Sequence, residues 1–341
     1  MDPDRLLLLE SPEIVVGVDL ERGCDIHRIS RPSGRNLLAS YDWSTPAPAT
    51  ALHAYGSSRL DWLSHYRGGW QVLFPNSGHD SRRGPVPLPF HGEVSTLRWE
   101  VITAGATTLH TRTGSRLPLV LDRLMELDGD RPILRLRERV VNVGNEPAEF
   151  VWGHHPAFAA VTRTLIDLPT APTVVDRGDM GPPADLSPGG EGRWPLLPAG
   201  DGALVDVSRM TGQPTSRLVY MPSIGQGWAA IRWPDEEIGI ALSWDVTTFP
   251  HVWLWQERGS TGYPFYGRAA LVAVEPQSAW PADGLDGAVE RGQALRLEPG
   301  QTRTTALTAS LFRADRRRVT GVTPDGSVSV EQIAGTDAPS A

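Results

Sequence analysis

Short apolar stretches alternate with turns along almost the whole chain. Glycine (35 residues) and proline (30 residues) interrupt the sequence about every ten residues, as in proteins built from short strands. Apolar positions do not recur with helical spacing over a dozen residues unless glycine or proline intervenes. Residues 133–143 partly alternate leucine and valine with arginine, which is typical of a strand with one face in water. The other predicted strands cover residues 14–20, 97–102, 107–113, 119–127, 149–152, 217–221, 228–233, 238–244, 251–256, 269–275 and 304–312. The pattern predicts an all-β fold of a dozen or more strands, arranged as a large antiparallel β-sandwich or barrel.

The strands continue to residue 312, and we expect a single domain over residues 1–312. Residues 170–200 are rich in proline, glycine and aspartate, and we interpret them as a long surface excursion within that domain. Residues 313–341 are polar and end in small side chains. They are expected to form a partly disordered C-terminal tail that frays beyond about residue 325.

Charge and composition exclude several classes of protein. The net charge of -8 at pH 7 argues against a nucleic-acid partner. All 32 basic residues are arginine, so no lysine can form a Schiff base or complete a phosphate-binding P-loop. Cys24 is the only cysteine, which excludes an internal disulfide, a cysteine-rich zinc site and an iron–sulfur cluster.

The apolar runs are too short for a membrane span, which needs ~18 residues. The four leucines after the acidic start are also too few for the core of a signal peptide. We therefore expect a cytoplasmic protein without a membrane partner.

Tryptophan is unusually frequent, with 12 residues against 6 tyrosines and 7 phenylalanines. Flat indole rings fill protein cores, and they also stack on the C–H faces of sugars. Several tryptophans lie near histidine, arginine or acidic residues in the sequence, so both interpretations apply to them. These are Trp62, Trp70, Trp99, Trp152, Trp253 and Trp255.

Several polar residues lie where they could bind a ligand or catalyse a reaction. Arg67 precedes two glycines, so its guanidinium can project from a sharp turn toward hydroxyl groups or a phosphate. His91 lies just before a predicted strand and could hydrogen-bond either a ligand or the protein itself. Glu275 ends an apolar strand, where partial burial would raise its pKa and suit it to act as a general base. Glu257 competes with it for that role.

His154 and His155 are neighbours at the end of a predicted strand. Adjacent strand residues face opposite sides of a sheet, so only one of the two histidines can enter a given cleft. The sequence leaves open which one does. A histidine pair can also suggest zinc, but zinc ligands need to share one face and no third ligand follows, so we expect no metal.

These clusters, in this order, resemble the galactose mutarotase-like superfamily of aldose 1-epimerases over about residues 15–312. Arg-Gly-Gly at 67–69 looks like the substrate-binding turn of the hexose-6-phosphate epimerase branch. His-Gly at 91–92 is similar to the pair that contacts a sugar hydroxyl. His-Pro-Ala-Phe at 155–158 resembles the family's His-x-Tyr-Phe, and Val-Glu-Pro at 274–276 matches the strand that bears the general base.

The resemblance implies a β-sandwich of two large antiparallel sheets and interconversion of the anomers of an aldose or a modified sugar. It implies that Glu275 takes the proton of the C1 hydroxyl, and that protonated His155 gives a proton to the ring oxygen. It implies that Arg67 and His91 hold the sugar ring, and that no cofactor or metal is required. The remaining expected substrate contacts are Trp70, Asn76, Trp255 and Glu257.

The chain departs from the family in ways that concern the substrate more than the fold. Residues 93–95 stand where the family has a second arginine, and Ala157 replaces an aromatic residue. Two alternatives therefore stay open: a lyase or glycoside-modifying enzyme on the same scaffold, and a non-catalytic sugar-binding protein. In each case the expected partner is a small carbohydrate, and the chain is expected to be a monomer or a homodimer.

Overall fold

The computed structural model describes residues 6–41, 56–83, 86–161, 163–178, 185–315 and 317–331. Strands dominate this part of the chain, which holds two short helices, α1 (Ser58–His65) and α2 (Gly284–Glu290). A 3-10 turn covers Pro234–Glu236. Within the described residues, neither helix has the length and hydropathy needed to cross a membrane.

The strands are short and follow one another closely along the chain. In chain order they are β1 (Leu7–Glu10), β2 (Val15–Asp19), β3 (Asp25–Ser30), β4 (Trp70–Leu73), β5 (Glu100–Ala104), β6 (Thr108–Gly114), β7 (Leu119–Leu127), β8 (Ile133–Asn142), β9 (Ala148–Phe150), β10 (Gly153–Ala159), β11 (Leu165–Asp167), β12 (Pro172–Val175), β13 (Glu191–Arg193), β14 (Leu196–Pro198), β15 (Leu204–Asp206), β16 (Thr215–Met221), β17 (Trp228–Trp233), β18 (Ile238–Trp244), β19 (His251–Arg258), β20 (Ala270–Gln277), β21 (Leu295–Leu297), β22 (Thr302–Phe312), β23 (Arg318–Val322) and β24 (Val328–Glu331).

Two large antiparallel sheets form a sandwich. The first has twelve strands in the order β1-β2-β3-β4-β10-β20-β19-β16-β12-β13-β14-β15. The second has eight strands in the order β11-β17-β18-β22-β8-β7-β6-β5. Two small two-stranded sheets pair β21 with β9 and β23 with β24. The predicted all-β antiparallel sandwich is confirmed, and the barrel alternative is excluded.

One continuous hydrophobic core joins the two large sheets. It includes Trp70 and Trp152 from the first sheet and its flanks, and Leu136 and Ile231 from the second. Both tryptophans are fully buried. Burying a large apolar side chain typically stabilises the folded state by about 1.5–3 kcal/mol. This interior layer therefore stabilises the sandwich, and the outer face of the twelve-stranded sheet is not needed for this core.

The structure corrects two expectations about chain organisation. Residues 170–200 are not only a surface excursion, because β12, β13 and β14 extend the edge of the twelve-stranded sheet there. The segment after Phe312 does not simply fray, since β23 and β24 form a hairpin up to Glu331. Val319 of that hairpin is buried. Residues 332–341 lie outside the described residues.

Candidate active site

A cavity of about 580 Å³ opens on the outer face of the twelve-stranded sheet. Its floor carries His155 and Glu275, which lie on the neighbouring strands β10 and β20. Helix α1 and the loop between β19 and β20 contribute walls, including Trp62 and Phe265. This combination of a concave site, buried titratable groups and aromatic walls is typical of a small-molecule site.

Strand register brings the two floor residues together. Gly153 pairs with Gln277 and Ala157 pairs with Ala273, so His155 lies directly opposite Glu275. The His155 Nε2 atom is 3.5 Å from Glu275 Oε1. Both residues are 2% exposed. Gln277 approaches the other carboxylate oxygen, with its Nε2 at 3.4 Å from Glu275 Oε2.

His154 faces the interior of the sandwich, which answers the question that the sequence left open. The Trp70 indole N–H donates to His154 Nδ1 at 3.1 Å, so the histidine must carry its proton on Nε2. That Nε2 lies 3.0 Å from a carboxylate oxygen of Glu138 on the second sheet. Glu138 also accepts a 2.7 Å hydrogen bond from Arg123. Burial alone would raise the pKa of Glu138, but His154 and Arg123 together lower it to about 2.

The structure corrects two of the predicted substrate contacts, Trp70 and Asn76. Trp70 is fully buried in the core, where it supports His154. The Asn76 amide donates to the carbonyl oxygens of His79 and Pro89 at 2.7 and 2.9 Å. Its oxygen accepts from the Leu285 N–H at 2.8 Å. The polar atoms of Asn76 thus cross-link three chain segments.

Burial sets the protonation of the floor pair. It raises the pKa of Glu275 well above its ordinary value, against the opposing effect of the Gln277 hydrogen bond. It lowers the pKa of His155 to about 4. These opposite shifts mean that a single proton on the pair resides on Glu275 rather than on His155. The resemblance implied a protonated histidine beside an ionised glutamate, and burial disfavours that pair of charges, because neither is solvated there.

His91 reaches the same cavity from a strained turn. Its backbone has φ +61°, in the left-handed region. The Gly78 N–H donates to His91 Nδ1 at 3.0 Å, so Nε2 carries the ring proton. Burial, reinforced by nearby His155, lowers the pKa of His91 well below its ordinary value. The ring centroids of His91 and His155 are 5.9 Å apart. His91 is thus a neutral hydrogen-bond donor near the floor pair.

The tryptophans singled out in the sequence divide between the cavity and the core. Trp62, Trp253 and Trp255 line the cavity. Trp70, Trp99 and Trp152 lie in the core. Trp62 is placed by α1, whose first turn is capped by the Ser57 hydroxyl accepting from the Leu60 N–H at 3.3 Å.

Glu257 lines the cavity on the strand that also carries Trp255. Its Oε1 accepts from the Ser260 N–H at 3.1 Å, and burial raises the pKa of its carboxyl group. Glu257 is two residues beyond Trp255, so both point to the same face of β19. Other lining residues that sequence reasoning did not single out are Arg59, Ser216, Arg217, Tyr263 and Phe265.

Arg217 shows why such residues escape a sequence-based search. It lies on a predicted strand without a motif, and its surroundings come from distant segments. Its Nε donates to Asp185 at 2.8 Å, and its Nη1 donates to Gln256 at 3.1 Å. The pairing of β16 with β19 places Arg217 opposite Gln256.

Arg67 lies at the turn that the sequence indicated. Gly68 has φ +78°, and a Cβ there would come within 2.1 Å of the Ala39 carbonyl oxygen, so the turn requires glycine. The Arg67 side chain is buried, and its Nη1 has no hydrogen-bond partner among the described residues. Burial lowers its pKa to about 10. It is not among the residues that line the cavity, so its role as a sugar contact stays a prediction.

A second groove of about 630 Å³ crosses the eight-stranded sheet. Among its charged groups, Asp122 already pairs with Arg112 at 2.8 Å, and His110 lies 3.3 Å from the same carboxylate. Within the described residues, no group of three His, Cys, Asp or Glu side chains has an arrangement that could hold a metal ion. The cavity with His155 and Glu275 is therefore the stronger candidate for chemistry.

Comparisons with known proteins agree on the fold. No family model matches the sequence, and no curated protein matches it significantly. Solved structures match over most of the chain. A proposed aldose 1-epimerase from Escherichia coli K12 is 16% identical with a TM-score of 0.60, over 91% of this chain and 99% of its own. A galactose mutarotase-like protein from Lactobacillus casei is 17% identical with a TM-score of 0.56, over 90% and 100%.

A galactose mutarotase-like protein from Clostridium acetobutylicum is 11% identical with a TM-score of 0.61, over 91% of this chain and 95% of its own. At these identities the likeness concerns the fold and not the activity. The chain has the galactose mutarotase-like fold, as its sequence motifs indicated.

Proposed function

We propose that the protein is an aldose 1-epimerase, which interconverts the α and β anomers of an aldose or a modified sugar. The observation that carries the proposal is the buried pair of His155 Nε2 and Glu275 Oε1, 3.5 Å apart at the floor of an aromatic-walled cavity. Anomer exchange needs one group that takes a proton from the C1 hydroxyl and another that gives a proton to the ring oxygen. A pair that shares one proton meets both needs.

Before substrate binds, the proton of the pair lies on Glu275. It must move to His155 before Glu275 can act as the base and His155 as the acid in ring opening. Moving it leaves the total charge of the pair unchanged, and the attraction between the two resulting charges offsets part of their desolvation. Ionised Glu275 then takes the C1 hydroxyl proton, while His155 gives its proton to the ring oxygen. With the open aldehyde bound, the pair is neutral again, which is the state that burial favours.

The cavity walls suit a sugar ring. Trp62, Trp253 and Trp255 offer indole surfaces for the apolar faces of the ring. The Nε2–H of His91 and the carboxyl group of Glu257 can hydrogen-bond ring hydroxyls. Binding in this way excludes water from the reacting atoms and holds C1 beside the pair.

The test is NMR exchange between α and β anomers across free, phosphorylated and acidic sugars. We expect Glu275→Gln and His155→Ala each to lower the rate by about 10²–10⁴-fold, the usual contribution of one acid or base. The matched controls are Glu149→Gln and His110→Ala, whose side chains do not line this cavity. Normal exchange in either active-site variant would contradict the assignment.

Product mass separates this reaction from the alternatives. Mutarotation leaves the mass of the sugar unchanged, whereas a lyase or glycoside-modifying enzyme changes it. A binding protein would retain sugars without accelerating exchange. If the wild type accelerated exchange for no sugar, the proposed function would be wrong.

A further inference from the structure

Four polar side chains form a line across four adjacent strands of the twelve-stranded sheet. The strands are β3, β4, β10 and β20, which are neighbours in that order. Ile26 pairs with Trp70, so the preceding Asp25 lies opposite Gln71. Gln71 pairs in turn with His155. The line therefore runs Asp25, Gln71, His155, Glu275, on the face of the sheet that carries the cavity floor.

The outer end of the line fixes the orientation of the Gln71 amide. Gln71 Nε2 donates to Asp25 Oδ2 at 3.0 Å. Both residues are buried, with exposures of 5% and 2%. Because the amide nitrogen is committed to Asp25, the amide oxygen is the end left for the other neighbour, His155.

One buried polar atom of Gln71 and one of His155 lack partners in other residues. Gln71 Oε1 and His155 Nδ1 are both inaccessible to solvent and make no hydrogen bond to another of the described residues. Residues directly opposite on antiparallel strands have Cβ atoms about 4.5–5.5 Å apart, within reach of a glutamine and an imidazole. Buried polar atoms are rarely left unpaired, and these two belong to residues that lie directly opposite each other, which favours a hydrogen bond between them.

We propose that Gln71 is a positioning residue for His155, whose Nδ1–H donates to Gln71 Oε1 while Asp25 holds the amide in the orientation that makes this possible. The histidine then has one neutral tautomer, with Nε2 unprotonated and directed at Glu275. That tautomer can accept the proton that Glu275 carries in the empty site. The inference deepens the proposed function, and its catalytic consequence rests on it.

A comparison with His154 shows how the Gln71 amide differs from a carboxylate as the partner of a histidine. His154, one residue earlier on the opposite face, is paired with a carboxylate, that of Glu138. A carboxylate at Nδ1 of His155 would favour the imidazolium and hold the proton on the histidine. A neutral amide orients the ring without doing so. Gln71 thus leaves the proton free to move between His155 and Glu275.

Other titratable groups face His155 from the elements packed around it. Glu275 faces it from β20, and His91 lies across the cavity at 5.9 Å between ring centroids. Tyr66, at the end of α1, has its ring centroid 5.5 Å from that of His155. Asp25 lies behind Gln71 on β3. Any change in the titration of His155 must be judged with these four groups in place.

The direct test is the tautomer of His155, read by two-bond ¹H–¹⁵N correlation NMR on the full chain labelled at histidine. His155→Asn identifies the signal. We expect Nδ1–H in the wild type and a mixture of tautomers in Gln71→Met, which keeps the shape of the side chain but not its oxygen. An Nε2–H signal in the wild type, or an unchanged Nδ1–H in Gln71→Met, would overturn the proposal. Neither result depends on enzymatic activity.

Kinetics then test the catalytic consequence. Gln71→Met should lower kcat for anomer exchange about tenfold, the rate equivalent of one ordinary hydrogen bond, and leave KM within about twofold. Gln226→Met is the matched control, because Gln226 Oε1 also accepts from an aromatic N–H (Trp228, 3.0 Å) away from the cavity. A normal kcat in Gln71→Met would refute the positioning role.

Gln71→Glu serves as the second variant, and it covers the case in which Gln71→Met does not fold. It restores an acceptor for Nδ1–H and adds an ionisable group. We expect it to keep the Nδ1–H tautomer and to move the acidic limb of the pH profile to higher pH. An unmoved limb, or a tautomer mixture in this variant, would count against the contact. If the wild type showed no exchange activity, the proposed function would be refuted, but the tautomer result would still hold.

Discussion

The acidic limb of the pH profile follows from the burial of the His155–Glu275 pair. The active pair holds one proton, and a second proton, added to His155, removes the only acceptor. Burial lowers the pKa of His155 from 6.5 to about 4. At pH 5 about 90% of the enzyme would keep a neutral His155, against about 3% if its pKa were ordinary. The expected activity at pH 5 is therefore about thirtyfold higher than for an exposed histidine.

The assay is kcat/KM for anomer exchange from pH 4 to pH 9, because this ratio reports the free enzyme. Spontaneous exchange is subtracted with His155→Ala at each pH. On its acidic side the profile should fall near pH 4. Glu275, whose pKa burial raises, sets the alkaline limb where the shared proton is lost. An acidic limb near pH 6.5 would refute the reasoning.

Stability must be separated from activity in the same range. The pKa of His155 is lower in the folded state than in the unfolded chain, so the unfolded chain binds the extra proton first. The folded state is therefore expected to lose stability as the pH falls from about 6.5 toward about 4. Unchanged near-UV circular dichroism down to the pH of the limb would show that the limb reports titration and not unfolding.

Three further predictions concern the core, the cavity wall and the C-terminal hairpin. Glu138→Gln should lower the free energy of unfolding, measured in urea, by about 3–5 kcal/mol, because it leaves the buried Arg123 without its carboxylate partner. The control is Glu126→Gln, in a more exposed ion pair, which should lower the free energy of unfolding by less than about 1 kcal/mol. Trp255→Ala should raise KM about three- to tenfold by removing a stacking surface, with kcat largely kept. The Val319 N–H donates a hydrogen bond to Asp167 at 3.0 Å, so Asp167→Asn should speed hydrogen exchange at the Val319 amide. An unchanged exchange rate would show that this contact does not anchor the hairpin.

Local patterns were sufficient to predict many of the strands, but not β3, β4 or β10, and the two central residues came from the family resemblance. The predicted strand over 133–143 became β8, and that over 119–127 became β7, because alternation and turn residues act within a few positions. The pairing of His155 with Glu275 was implied by the resemblance of two short motifs. The structure adds the register that places these residues opposite each other.

Other features depend on which strands become neighbours, and no local pattern shows that. Trp70 and Trp62 both lie near polar residues in the sequence, yet one is in the core and the other lines the cavity. Gln71 carries no motif, and its position opposite His155 follows from the pairing of β4 with β10. The reversed order of the two pKa values is likewise a product of burial, which only the packed sandwich determines.

Strand β10 connects the core of the sandwich to the candidate active site. Its two adjacent histidines point to opposite faces, and each continues a line of polar contacts. On the inner face, His154 joins Trp70 of β4 to Glu138 of the second sheet. On the outer face, His155 lies between Gln71 of β4 and Glu275 of β20. Trp70 and Gln71 are also adjacent, on β4. The contacts on the inner face therefore hold β4 and β10 together, and the spacing of these two strands sets the distance between Gln71 and His155 on the outer face. A substitution of Glu138 should therefore lower kcat as well as stability, although Glu138 lies on the other sheet.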